Sequence, residues 1–459
     1  MKPIPVIAIF DVGKTNKKLF LFDESYHIVY ERSARFIETV DEDGDSCENL
    51  ESLRRSVFDS LSEIFRLNEF KVKAVNFSAY GASFVYVGGD GEPLTPLYSY
   101  LKAYPEKLSD YLYENYGGKE GFSIATASPI LGSLNSGLQL FRLKQEKPAI
   151  FKKLKYALHL PQYLSFLISG KACSDLTSIG CHTALWDFER NDYHTWVKQG
   201  ALAEKLPPIV PSNKILPAIF GGAKYKVGIG LHDSSAALIP YLVSFKEPFI
   251  LISTGTWCIS LNLFNQSPLT ADELKMDCLC YLQYQGKPVK ASRLFSGFEH
   301  GQQVKRIADH FSIDSTSFHN MAFDADVIVH LKKTITQPET TNINASAFIS
   351  RDLAVFKNDA EAYHQLILDI IQLQVTSTQL VLMDTPVKRI FVDGGFSKNS
   401  IYMNLLASSF PNLEVFAASM AQATAIGAAL AVHNEWSTKP MPTDLIELKH
   451  YATHHSSNG

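Results

Sequence analysis

The sequence is short of everything that would commit it to a membrane, to nucleic acid or to a disulfide framework. No apolar run approaches the roughly 18 residues of a membrane helix. Residues 1–10 are apolar but reach Asp11 too soon for a signal peptide, and no cleavage site follows. Lys and Arg number 43 against 47 Asp and Glu, a net charge of -4. That balance withholds the basic surface that nucleic-acid binders use. The six cysteines are scattered, the pattern of reduced cytosolic thiols, so the cytoplasm is the expected location. Cys278 and Cys280 read as two thiols on one face of a strand. A Gly-x-x-x-x-Gly-Lys-Ser/Thr loop and a Gly-x-Ser-x-Gly elbow are both missing, which sets aside Walker-type ATPases and serine hydrolases.

What is present is more than one core can hold: 459 residues, 46% hydrophobic and 20% charged, predict at least two domains of a globular protein. Two stretches echo each other from opposite halves. The first runs Ile7-Ala8-Ile9-Phe10-Asp11-Val12-Gly13-Lys14-Thr15-Asn16 and on through Lys18 to Asp23; the second runs Phe249-Ile250-Leu251-Ile252-Ser253-Thr254-Gly255-Thr256-Trp257 and on to Leu261. Each is a strand-length apolar run, a Gly/Thr turn and a second strand. Such turns aim backbone N–H groups and hydroxyls at one spot, as phosphate oxygens require. Two of them predict two lobes closing on a polyphosphate.

Between the hairpins the pattern is α/β. An acidic, solvated loop over 38–51 leads into a helix with Leu53, Val57, Leu61, Ile64 and Phe65 on one face. A buried strand, 74–78, runs into a loop with Gly81 and Ser83, where ligands collect in α/β folds. Residues 104–185 read as mostly helical, including a helix over 160–168 that Gly170 ends. Pro207, Pro208, Pro211 and Pro217 mark an extended connection. Then Gly228, Gly230, His232 and Asp233 form a turn opening a small-residue helix. In the second half a helix over 360–381 precedes a strand, 389–392, and the loop Asp393-Gly394-Gly395-Phe396-Ser397-Lys398-Asn399. Glycines there admit a ligand to the backbone, and the following helix N-terminus favours anions. Small residues over 421–431 predict a closely packed helix. The tail, 451–459, is expected to fray.

Phosphoryl transfer needs a phosphate cradle, a cation near carboxylates and a group that positions the acceptor hydroxyl. Asp11 is placed to hold Mg2+ through water, Gly13, Thr15 and Asn16 to donate from the turn, and Lys18 to bring positive charge. Thr254, Gly255 and Thr256 supply the matching turn. Asp233 is the candidate general base, with a helix-capping Asp as the plainer reading of the same residue. His232 is a candidate sugar contact.

The ordered set Asp11-Val12-Gly13-Lys14-Thr15, Gly230-Leu231-His232-Asp233, Ser253-Thr254-Gly255-Thr256-Trp257 and Asp393-Gly394-Gly395-Phe396-Ser397-Lys398-Asn399 resembles the FGGY carbohydrate kinases of the actin-like ATPase superfamily. The Gly-x-His-Asp and Ser/Thr-Gly-Thr-Trp pieces look most like the rhamnulokinase and fuculokinase branch. So do Leu134 to Gln139 and His159 to Leu164. The resemblance implies two ribonuclease-H-like lobes, 1–238 on the sugar side and 239–450 on the nucleotide side, with the cleft between them. It implies ATP and Mg2+, with Asp233 as base and Asp11 as the magnesium-linked acid. Asp233 is named beside Asp11 as a metal-side carboxylate. Gly13, Lys14, Thr15, Asn16 and Lys18 match one phosphate loop and Thr254 to Thr256 the other. Gly394, Gly395, Ser397 and Asn399 match the adenosine side, and Gly81, Ser83, His232 and Asp233 the sugar side. The implied substrate is a ketose with a primary hydroxyl, a deoxy-ketose such as L-rhamnulose or L-fuculose, with other ketoses, polyols or a weakly catalytic sugar sensor as alternatives. Neither nucleic acid nor a membrane is an expected partner, and a homodimer is left open. Two departures bear on specificity: Lys14 replaces the family's usual Thr, and Leu97-Tyr98-Ser99-Tyr100-Leu101-Lys102 replaces its Tyr/Trp-x-Asp-x-Arg-Thr stretch.

Overall fold

Both echoing stretches form hairpins, and each seeds a sheet in a computed structural model that describes residues 2–14, 17–34, 37–336 and 345–452. Strand Ile4–Val12 pairs antiparallel with Lys17–Asp23, which pairs with Ile28–Ala34. On its other side it runs parallel to Phe70–Ala79, followed in the sheet by Ala223–Gly228 and Ile215–Phe220. The second half repeats the scheme. Phe249–Thr254 pairs antiparallel with Cys258–Asn262 and parallel with Arg389–Gly394, which runs parallel to Glu414–Ser419. Three antiparallel strands followed by parallel ones reached through helical crossovers, twice over, make two ribonuclease-H-like lobes.

The first strand is apolar throughout because both its faces are covered. Val6, Ala8, Phe10 and Val12 face a layer holding Leu53, Val57, Leu61 and Ile64 of helix Leu50–Ile64. Ile7 and Ile9 face the other way, onto Ala425, Ile426, Ala428 and Ala429 of helix Ala423–Ala431. The small-residue helix therefore belongs to the second half of the chain but packs on the first half's sheet. Its Gly427 is a contact requirement: a Cβ there would lie 1.9 Å from the Ala236 carbonyl oxygen. Asn76 Nδ2 donates to the Ala428 carbonyl at 2.8 Å, and Tyr26 Oη meets His433 Nδ1 at 2.8 Å. In the second lobe Ile250 and Ile252 face the long helix Asp359–Leu382, while Phe249 and Leu251 face a cluster with Tyr241 and Phe391.

Four expectations change. The 38–51 stretch is not a solvated loop. It holds a short hairpin, Glu38–Val40 with Ser46–Glu48, and buries Asp41 against Lys102 and Glu48 against Lys14 and Lys17, charges that partners make tolerable inside. Within 104–185, Leu154–His159 is a strand pairing with Phe84–Gly88. Pro217 sits in strand Ile215–Phe220, at the sheet edge where its missing N–H costs nothing. Tyr451, assigned to the tail, ends strand Glu447–Tyr451 and pairs with Val415. Cys278 and Cys280 do share a buried strand face, packed with Ala127 and Leu269. Among the described residues no helix is long and apolar enough to cross a membrane.

Candidate active site

Parallel register explains why Asp11 and Asp233 converge. Val12 and His232 both pair with Ala79, on opposite sides of strand Phe70–Ala79, so both aspartates lie at one carboxyl edge of the sheet. Asp11 Oδ2 accepts a hydrogen bond from Thr424 Oγ1 at 2.8 Å, contributed by the helix from the other half. Burial pushes the Asp11 carboxyl up to about 6; the Thr424 and Ser78 hydroxyls pull it down and the Asp233 charge pushes it up. Asp233 opens helix Asp233–Ala236, and its Oδ1 accepts from the Ser234 backbone N–H at 2.6 Å. His232 holds the N-cap position and no side chain caps this helix, so Asp233 is not spent as a cap, and its side chain keeps 31% of its exposure. Burial by the surrounding walls raises it, too, to about 6, against the Ser234 hydrogen bonds. Two part-buried acids held near neutrality can exchange a proton or share a cation.

The remaining first-lobe candidates separate. His232 is buried with Nδ1 3.6 Å from Asp233 Oδ1, and burial lowers it to about 4, leaving a neutral imidazole. Gly81 is there because the His232 ring lies against it; a Cβ would come within 2.2 Å of the ring. Ser83 is turned away, donating to the Tyr98 carbonyl at 3.2 Å. Lys18 Nζ reaches Glu31 at 2.7 Å. Lys14 Nζ sits 3.6 Å from Glu48 Oε1 and lies over the Tyr80 and Tyr100 rings, with Tyr80 Oη also donating to Glu48 at 2.9 Å. Gly13 lies in the turn after the first strand; Thr15 and Asn16 fall outside the described residues.

In the second lobe the turn and the glycine loop are tied together. Thr254 Oγ1 donates to the Asp393 carbonyl at 2.6 Å and accepts from the Phe396 N–H at 3.0 Å, so its hydroxyl is spent on the scaffold. Gly394, at φ +93°, passes so close that a Cβ would sit 1.9 Å from the Thr254 carbonyl oxygen. Ser397 Oγ donates back to the Gly394 carbonyl at 2.8 Å, and Asn399 Oδ1 caps helix Ser400–Ser409. Thr256 is exposed at the turn. Gly255, Gly395 and Asn399 line one cavity of about 300 Å³ with Gly297, His300, Phe318, His319 and Tyr363. Asn399 Nδ2 donates to Tyr363 Oη at 2.8 Å, and His300 Nε2 lies 3.1 Å from the same oxygen. Glycines on one side and aromatic rings on the other suit a flat base joined to an anionic chain.

Sequence reading missed Thr424, Ser78 and the aromatic wall. Thr424 stands 413 positions from Asp11, and nothing local marks it. His300, Phe318 and Tyr363 belong to no spacing pattern; only the fold collects them.

Similarity to known proteins covers most of the chain. Residues 6–239 match the N-terminal domain of the FGGY family of carbohydrate kinases, and residues 246–440 match the carbohydrate kinase FGGY C-terminal domain. A rhamnulokinase from Halalkalibacterium halodurans is 23% identical over 280 residues, 56% of this chain and 56% of that one, so the chain spans little more than half of that relative's length. A carbohydrate kinase structure from Novosphingobium aromaticivorans superposes at a TM-score of 0.81 with 23% identity, covering 98% of this chain and 95% of that one. A ligand-bound xylulose kinase from Lactobacillus acidophilus gives 0.76 and 17%, covering 98% and 94%. Two lobes of actin-like topology, each matched by its own domain family, place this chain in the FGGY family of carbohydrate kinases.

Proposed function

We propose that the protein is an ATP-dependent kinase acting on the primary hydroxyl of a ketose, with a deoxy-ketose such as L-rhamnulose or L-fuculose first among candidates. The observation that carries this reading is the Asp11–Asp233 pair at one sheet edge: two part-buried carboxylates, each with a proton affinity raised to about 6. Asp233 takes the acceptor hydroxyl proton while that oxygen attacks the γ-phosphorus, and the bond to the β,γ-bridging oxygen breaks to release ADP. The Gly13 and Gly255 turns face the phosphates, and the base of ATP lies against Tyr363 and Phe318. His232, neutral and next to Asp233, contacts a sugar hydroxyl. Closure of the lobes keeps water from competing as acceptor.

Mg2+ fits the donor set. Two carboxylates whose charges oppose each other gain from an oxygen-seeking dication. When bound, it neutralises charge on the phosphate oxygens; Asp11 would hold it through water.

One feature favours a different sugar in the same chemistry. Lys102, in the departing 97–102 stretch, is clasped by Asp41, Asp43 and Asp45 instead of being free for substrate. That is the ground for xylulose-like, ribulose-like or polyol acceptors. A panel of ketoses and polyols, read by sugar-dependent ADP release with the product checked for the phosphorylated carbon, tests both. Release stimulated by one sugar class, phosphorylated at a terminal carbon, is expected. ATP binding without stimulation by any sugar would leave a sensor, and equal turnover with and without sugar a hydrolase.

A further inference from the structure

Three ligating side chains outside the phosphate machinery meet behind Asp233. The sulfur of Cys181 and a ring nitrogen each of His182 and His232 lie within 4.8 Å of one another. Sequence spacing gave no hint, because His232 is 50 positions from His182 and arrives by the strand pairing that also places Asp233.

The cluster is built, not incidental. The Nδ1 atoms of His182 and His232 are both buried with no hydrogen-bond partner, an uncompensated cost that a ligand would remove. The loop carrying Cys181 and His182 holds left-handed backbone at His182 (φ +40°) and Ala184 (φ +63°), conformations that cost energy in non-glycine residues. It is pinned by the stretch Asn135 to Gly137. Asn135 Nδ2 donates to the His182 carbonyl at 2.7 Å, and the Gly137 N–H donates to the Thr183 carbonyl at 2.9 Å. Arg293, the cation whose field reaches Cys181 and His182, is forked onto Asp277 at 2.7 and 3.1 Å. Burial keeps both imidazoles neutral, the form with a lone pair to give. Cys181 and His232 are buried and His182 is half-buried.

We propose that Cys181, His182 and His232 form a binding site for one borderline-soft divalent cation of the Zn2+ class, distinct from the Mg2+ that accompanies ATP. One thiolate and two imidazoles are a zinc donor set that a hard, oxygen-seeking ion does not share. Bond lengths of about 2.3 Å to sulfur and about 2.0 Å to nitrogen ask the three groups to draw together by roughly 1 Å. The Cys181 thiol proton leaves to solvent as the metal–sulfur bond forms. A cation there occupies His232 and sits against Asp233. If the kinase reading holds, it therefore shuts out the sugar while leaving the nucleotide pocket open.

Titration of the full chain with Co2+ alone, without nucleotide or sugar, tests the site directly. One equivalent should bind with a sulfur-to-cobalt charge-transfer band that survives excess Mg2+ and is displaced by Zn2+. Cys181→Ser should lose the band. His182→Gln should weaken binding about tenfold or more, and it decides the matter should the serine variant fail to fold. A folded wild-type chain without the band, a band that persists in Cys181→Ser, or unchanged affinity in His182→Gln overturns the site. Because the readout uses neither ATP nor sugar, a failed kinase assay beside a positive titration would refute only the proposed reaction.

Discussion

Asp233 carries two opposed demands, and pH separates them. Its carboxyl, ordinarily near 3.8, is raised to about 6 by burial. A group whose folded value lies above its unfolded one stabilises the fold below the unfolded value, and that contribution is lost as pH rises through about 6. Asp233→Asn removes the buried charge, so its thermal midpoint should exceed wild type at pH 8 and match it near pH 4, read by calorimetry. The same shift sets the acid limb of activity. A base must be ionised, so kcat/KM should fall about tenfold per pH unit below about 6. A limb near pH 4 would mean that another group takes the proton. Such a stability cost carried by a functional residue is what a poised acid requires.

Helix Ala423–Ala431 shows what composition reveals and what it hides. Its alanines and Gly427 announce close packing, and a sequence reader expects that much. The surface it packs against is the first lobe's sheet, through Ile7 and Ile9, and no local signal names a partner that distant in the chain. Gly427→Ala should cost about 1–3 kcal/mol, because the added methyl meets the Ala236 backbone oxygen with no side chain free to give way. A calorimetric midpoint equal to wild type would mean that the helix can slide. The hairpins were legible for the opposite reason: strand, Gly/Thr turn and returning strand are local, and Asp11 opposite Lys18 falls out of their register. The Leu154–His159 strand was hidden because its partner, Phe84–Gly88, lies far upstream and the flanking helices dominate its composition. Glu48 and Asp41 were misread for a related reason. An acidic stretch looks solvated until Lys14, Lys17 and Lys102 fold onto it.

At the level of the whole molecule, one hydrogen bond between the two halves ties the site's chemistry to the packing of helix Ala423–Ala431 on the first sheet. Thr424 hydrogen-bonds Asp11 across the chain and lowers its proton affinity. Thr424→Val keeps the shape and removes the hydroxyl, so an acid-side group should titrate at higher pH in the variant's rate profile. The loss of a hydrogen bond to a charged group, about 1.5–3 kcal/mol, should appear in stability above that pH. An unshifted profile would show that Asp11 does not sense the second lobe. The direct test of the central claim is to compare Asp233→Ala with wild type in two assays on the same preparation: ADP release with the best sugar, and displacement of a fluorescent nucleotide. Turnover lower by about 10²–10⁴-fold, with nucleotide affinity essentially unchanged, is the expected result. Substantial remaining turnover would remove Asp233 as the base, and a parallel loss of nucleotide affinity would show that it serves the fold and not the transfer.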